Sequence, residues 1–183
     1  MNEQLLIKEC KQGKSFAYKK LYELYAPAMM SVCVRYVNDR DIARDILQDG
    51  FVKVFTKIDT YSGTGTFAGW IRKVFVTTAL EYMRKNHNMK QDADIEDLEH
   101  LTDNMNFSAL DKLSADELLA CIATLPEGYR TIFNLFAIEG YSHSDIANML
   151  NIKEVTSRTQ FLRAKKVLQQ SVLNLISEES ERK

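Results

Sequence analysis

The side chains best placed to do chemistry are those of Thr156, Ser157, Arg158, Thr159, Gln160, Arg163, Lys165 and Lys166, crowded into one short stretch. That set suits non-covalent reading of a nucleic acid: Arg and Gln hydrogen-bond base edges, and Ser, Thr and Lys hold phosphate oxygens. The stretch lies inside YSHSDIANMLNIKEVTSRTQFLRAKKVL, Tyr141 to Leu168, which reads as two helices joined by a tight turn. Ser142 or Ser144 caps the first helix, and Ile146, Ala147 and Leu150 form its apolar stripe. Asn151 and Ile152 fit the turn. The second helix, from Val155 to Leu168, has Val155, Leu162, Val167 and Leu168 among its apolar positions. A helix-turn-helix presents its second helix, N-terminus first, to the DNA major groove.

Catalytic and metal chemistry find little support. His87, His100 and His143 have no ligand spacing, and no His-Asp dipeptide occurs. Cys10, Cys33 and Cys121 are far apart with no CxxC, so buried reduced thiols of a cytosolic protein are expected. The expectation is a protein that is not an enzyme and has no cofactor, no metal and no small-molecule substrate. No signal peptide or membrane-spanning run is read, which excludes direct membrane insertion.

Composition bounds the elements that must position these residues. The chain has 183 residues, 45% hydrophobic, with only seven Gly and two Pro, which favours helices over a turn-rich β fold. The net charge of −1 is unevenly spread. Residues 1–88 hold 14 Lys/Arg against 9 Asp/Glu, 89–117 hold 2 against 9, and 151–171 hold 5 against 1. Two neutral-to-basic blocks flanking an acidic stretch suit a long nucleic-acid ligand, although ordinary solvated surface gives the same counts.

The expected fold class is all-α: two small helical domains joined by a flexible acidic linker. A short helix over Asn2 to Lys11 ends near Gly13, and Ser15 caps a second helix in which Phe16, Leu21, Leu24, Tyr25, Met29, Val32 and Tyr36 recur at helical spacing. Pro27 is expected to kink or interrupt it. Asp41 to Ile58 is the cleanest amphipathic helix, with a stripe from Ile42 through Gly50, Phe51 and Val54 to Ile58. Asp45, Gln48, Asp49 and Lys53 lie off that stripe. The loop DTYSGTGT, 59–66, leads into a helix from Phe67 to Lys85, in which Trp70 reads as core. The domains are then 1–88, an acidic linker at 89–113, a second domain at 114–176 and a disordered tail at 177–183. Extended at roughly 3.3–3.6 Å per residue, such a linker can bridge more than one helical turn of DNA. In the second domain Ser114 caps a helix to Thr124 with Glu117 at capping-box spacing, Leu125-Pro126 breaks it, and Glu127 to Ile138 is the next helix, closed by Gly140.

Three segments together resemble the bacterial RNA polymerase sigma factors of the extracytoplasmic-function (ECF) type, which keep only regions 2 and 4 of the sigma-70 family. DIARDILQDGFVKVFTKI (41–58) is similar to region 2.2, FAGWIRKVFVTTALEYMRK (67–85) to regions 2.3 and 2.4, and residues 125–168 to region 4. The resemblance implies a subunit that binds core RNA polymerase and directs promoter recognition and transcription initiation in the cytoplasm. It implies that Asp45, Gln48 and Asp49 dock on the clamp helices of the β′ subunit. Tyr61, Ser62 and Gly63, with Lys73 and Thr77, would bind the minus-10 element, an aromatic ring replacing the stacking lost by an extruded base. Arg158, Thr159, Leu162 and Arg163, with Ser157, Gln160 and Lys166, would bind the minus-35 element, Arg158 at a base edge and Arg163 and Lys166 on phosphates. It further implies contact with the β flap and restraint by an anti-sigma factor. Two departures bear on DNA preference: Thr77 where relatives often carry Asn, and Val155 where they frequently carry Gly.

A helix-turn-helix repressor or activator that never docks on core polymerase explains 114–176 equally well, but not the polar face and Gly/Ser/Thr loop of 41–85. A metal-dependent helical phosphohydrolase fails on its missing ligands.

Overall fold

The computed structural model describes residues 2–86 and 114–181, with the backbone alone at 115 and 176–181, and every regular element among them is a helix. The chain forms two compact units, Met1–Asn88 and Met89–Lys183. The expected linker at 89–113 lies outside the described residues.

In the first unit, α1 (Glu3–Lys11), α2 (Ser15–Val37), α3 (Arg40–Lys57) and α4 (Phe67–Asn86) follow in order, with a 3-10 turn at Ile58–Thr60 after α3. Local chemistry sets the ends. The Asn2 side chain accepts from the Gln4 amide, and Asp39 accepts from the Asp41 and Ile42 amides, satisfying donors that a first turn leaves open. Asn38, in the left-handed region at φ 54°, closes α2. Ser15, expected as a cap, is instead the first helical residue, and Lys14 holds the cap position with no side-chain bond.

Pro27 does not interrupt α2. The helix runs through it, because Leu21 and Tyr25 before it and Met29, Val32 and Tyr36 after it are buried on one shared surface. Pro27 itself is exposed, so the carbonyl left without its amide can meet water. Phe16 and Leu24, expected on the buried stripe, are 54% and 58% exposed. They lie on the side of α2 that the neighbouring helices leave uncovered. The Tyr25 hydroxyl donates to Glu3 at 2.6 Å and ties α1 to α2.

α3 and α4 meet closely at Gly50. Phe51 and Phe75 meet edge to face at 5.1 Å, and a Cβ at Gly50 would collide with the Phe75 ring. Phe75, Ile71, Ile46 and Val54 are essentially inaccessible.

The second unit comprises α5 (Ala115–Ala123), α6 (Glu127–Phe133), α7 (His143–Leu150) and α8 (Glu154–Glu181). Ser114 and Glu117 form the capping box at α5. α6, expected to continue to Ile138, widens into a π-helical turn at Asn134–Ile138, closed by Glu139 N–H on the Asn134 carbonyl at 2.9 Å. Arg130 is buried and donates to the Leu125 carbonyl at 2.8 Å; burial lowers its pKa. The core joins Cys121, Ile122 and Leu125 to Ala164, Leu168 and Val172. α8 continues through most of the tail expected to be disordered, since extending a formed helix is cheap and no breaker intervenes before Glu181. The three cysteines are free and buried, and burial pushes the Cys10 and Cys33 thiols to about 11 and about 12, so neither is a ready nucleophile.

Gly50→Ala therefore loses about 1–3 kcal/mol of stability by overpacking against Phe75, despite the better helix propensity of Ala. Urea unfolding followed by Trp70, the single tryptophan, reads this unit; Gly50→Ala combined with Phe75→Leu shows a smaller loss than the sum of the two.

Candidate nucleic-acid and partner-binding surfaces

Because α3 buries Ala43, Ile46, Leu47, Gly50 and Val54, helical periodicity turns Asp45, Gln48 and Asp49 outward, and all three are exposed. Val52, 60% exposed, extends the same face. Its signal in the sequence is that it is the apolar residue of this helix that falls off the stripe. An apolar side chain beside two carboxylates and an amide can pack on a partner helix while the carboxylates meet its Arg or Lys.

The loop after α3 is held by its own side chains. The Tyr61 hydroxyl donates to the Gly65 carbonyl at 2.9 Å, and Lys11 Nζ donates to the Tyr61 carbonyl at 3.0 Å. Gly63 and Gly65 have φ of 84° and 75°, a region costly for any side chain with a Cβ. Ser62 and Gly63 are exposed at the tip, with the Ser62 and Thr64 hydroxyls 3.1 Å apart. The Tyr61 ring packs on Phe67 at 5.0 Å and on Trp70 at 5.8 Å.

Trp70 is not a core residue. One face stacks on Phe67 at 5.6 Å and 12°, and the half-buried ring also lines an open groove of about 190 Å³ between α3 and α4. Lys53, Lys57, Lys73, Thr77 and Glu81 line the same groove. Lys53 Nζ meets Glu81 at 2.5 Å across it, and Thr77 spends its hydroxyl on the Lys73 carbonyl at 2.9 Å. Three lysines against one glutamate leave the groove positive, and an indole at its wall can stack on a base while the ammonium groups hold a phosphate backbone. The structure thus brings Lys73 and Thr77 together, as their spacing implies. It adds Lys53 and Lys57, whose i,i+4 placement off the apolar stripe was the available signal.

In the second unit, Ser142 rather than Ser144 caps α7, in a capping box with Asp145. Asn151, at φ 55°, makes the turn to α8. α8 buries Ala164, Leu168 and Val172, which fixes its outward face. Arg158 and Lys166 are exposed on that face, and Thr159, Leu162 and Arg163 are partly exposed. Arg158 is held by Glu154, through Nε and one terminal nitrogen, at 3.1 and 2.6 Å. Lys165 lies 5.5 Å over the Phe161 ring.

One expectation changes here. Ser157 is fully buried and cannot reach a ligand; its hydroxyl is 2.9 Å from His143 Nδ1. Gln160 leans on α6 at Gly128, on the flank of the helix. Val155, an apolar residue at the start of α8, is 68% exposed. Sequence composition points the wrong way for Ser157, because Ser is mostly exposed and is buried only where a hydrogen-bond partner meets it. His143 stacks on Phe136 at 4.2 Å, edge-on to Phe161 at 5.7 Å. Burial, and then the nearby Arg158, lower its pKa below the ordinary imidazole range, with Glu154 acting weakly the other way. It is therefore neutral at pH 7.

Among the described residues no group of His, Cys, Asp and Glu is arranged to hold a metal ion, and no helix is long and apolar enough to cross a membrane.

The family model for Sigma-70 region 2 matches residues 21–89, and that for Sigma-70, region 4 matches residues 115–168. The chain is similar to the ECF RNA polymerase sigma-E factor of Haemophilus influenzae, at 28% identity over 96% of this chain and 98% of that one. It is also similar to the RNA polymerase sigma-H factor of Pseudomonas aeruginosa, at 25% identity over 96% of each. The sigma-E factor of Escherichia coli K12 matches at 26%, over 96% and 97%. Among solved structures, the fold is similar to that of a sigma factor from Bartonella quintana determined with its anti-sigma factor. The TM-score is 0.51 and the identity 21%, over 85% of this chain and 96% of that one.

A His whose folded pKa is lowered leaves the folded state binding fewer protons than the unfolded one, so stability is full above the unfolded value of about 6.5 and falls as pH drops through it. Calorimetry across that range detects this loss, and His143→Gln flattens it. Ser157→Ala leaves the imidazole nitrogen unpaired, costing about 1–3 kcal/mol of stability of the second unit.

Proposed function

As the chain belongs to the ECF branch of the sigma-70 family of RNA polymerase sigma factors, carrying both its region 2 and its region 4, we propose that it binds core RNA polymerase and directs it to promoters to initiate transcription. The observation that carries the proposal is the presence, in one chain, of a capped helix-turn-helix with an outward basic face and a second helical unit with a lysine-lined aromatic groove beside a separate acidic face. A plain repressor needs only the first of these.

The roles divide by element. Asp45, Gln48, Asp49 and Val52 on α3 dock on the β′ clamp helices, carboxylates against basic side chains and Val52 against an apolar one. The groove and its loop take the melted minus-10 strand. Lys53, Lys57 and Lys73 track phosphates, Trp70 offers a stacking surface, Thr77 lies at the duplex edge, and Tyr61 holds the loop that presents Ser62 and Gly63. On α8, Arg158 and Thr159 reach minus-35 base edges, Leu162 lies between them and the flanks, and Arg163 and Lys166 hold phosphates. Ser157 acts from inside, by setting the rotation of α8. The second unit also meets the β flap.

The family is one of non-enzymatic initiation factors, and bond formation belongs to the polymerase. The protein works in the cytoplasm, with an anti-sigma factor as its restraining partner; the fold neighbour from Bartonella quintana is a sigma factor solved with such a partner.

Run-off transcription with purified core polymerase and genomic fragments tests the proposal. Starts that depend on this chain and share paired upstream motifs support it, and failure of core polymerase to bind or initiate overturns it. Asp45→Lys combined with Asp49→Lys weakens core-polymerase binding at least about tenfold with the melting temperature unchanged, since like charges then face the partner. Co-sedimentation with core polymerase measures it, and undiminished binding removes this face from the interface.

A further inference from the structure

Val155 is the most exposed large apolar side chain among the described residues, at 68%. It is the second residue of α8, directly after Glu154, at the end of the helix that enters the major groove first. Burial gives it nothing, and a β-branched residue weakens an exposed helical turn slightly. Its position on the helix is specific. Spacings of three, four and seven residues put Val155 on one face with Arg158, Thr159 and Leu162, opposite the fully buried Ser157 and Ala164.

The base-pair edges of a major groove display donors, acceptors and one apolar group, the 5-methyl of thymine. Resting on the promoter reading above, we propose that Val155 is a specificity-determining residue that packs on a thymine methyl in the upstream element. The base pair it reads is an A·T pair lying under the first turn of α8, beside the one that Arg158 reaches. The chemistry suits the residue. Within a helix Val holds one strongly preferred rotamer, so its two methyl groups are presented without much loss of side-chain freedom. The Arg158 guanidinium, already steered by Glu154 at 2.6 Å, flanks the contact and helps exclude water from it.

The test uses the full chain assembled with core polymerase. The upstream element is first selected from a promoter library with randomised sequence. Each thymine of that element is then replaced by deoxyuridine, which lacks only the 5-methyl, and holoenzyme affinity is measured by competition. At one position the wild-type holoenzyme loses roughly three- to tenfold. In Val155→Ala that penalty falls to less than about twofold, and in Val155→Thr, which keeps one γ-methyl, it is intermediate. A full deoxyuridine penalty in Val155→Ala overturns the inference, as does an element with no methyl-sensitive thymine. Weaker core-polymerase binding by Val155→Ala without DNA also overturns it and assigns the residue to a protein contact. A wild-type chain that binds no core polymerase or selects no upstream element overturns the promoter reading, and this inference with it, before any variant is made.

Discussion

The rotation of α8 about its own axis decides what the second unit can do, and the buried contact between Ser157 and His143 is central to it. A helix has one buried side, so whichever residues face the core determine which face solvent. Ala164, Leu168 and Val172 supply the apolar part of that side. Apolar burial is non-directional and tolerates some rotation, whereas a hydrogen bond at 2.9 Å between two buried groups does not, because losing it strands polar atoms. His143 is itself fixed by stacking on Phe136, at the end of α6 where the helix opens into its π-helical turn. The widened turn, the stacked imidazole and the buried hydroxyl thus form one continuous support beneath Arg158, Thr159 and Leu162.

The first unit solves the same problem by close approach rather than by a polar lock. Gly50 lets the Phe75 ring lie against the α3 backbone. That contact brings α3 and α4 near enough for Lys53 to reach Glu81 and for Lys57 and Trp70 to line one groove. It also commits the opposite side of α3 to solvent, where Asp45, Gln48 and Asp49 lie with Val52. One helix therefore carries a cationic edge toward α4 and an acidic outer face. Two ligands of opposite charge can use it at once without competing.

The net charge of −1 means that attraction to DNA comes from local patches rather than from a global field. Both patches are partly neutralised in the free chain, by Glu154 against Arg158 and by Glu81 against Lys53. These pairs are solvent-exposed and worth at most about 1 kcal/mol each. They are readily exchanged for phosphate contacts, while they lower the affinity for arbitrary DNA.

Much of the fold was legible from the sequence alone, because it depends on local rules. Ser114 and the Ser142/Ser144 pair announce helix starts through oxygens that accept amide donors, and the structure selects Ser142. Asn151 announces the turn, and periodicity separates the Asp45–Asp49 face from the core of α3. The class of ligand followed from the basic stretch at 151–171, with 5 Lys/Arg against 1 Asp/Glu. What needed tertiary structure was the fate of residues whose chemistry suits either side of a helix. Ser157 is buried although Ser is common at the surface, and Phe16 and Leu24 are exposed although periodicity put them inside. Trp70 lies over the core, stacked on Phe67, and lines the groove, and Pro27 sits in an unbroken helix because packing on both sides of it outweighs one missing hydrogen bond. The physical reason is the same throughout. Caps and turns depend on residues a few positions apart, whereas burial depends on which neighbouring helix covers which side, and that is settled only when the helices pack.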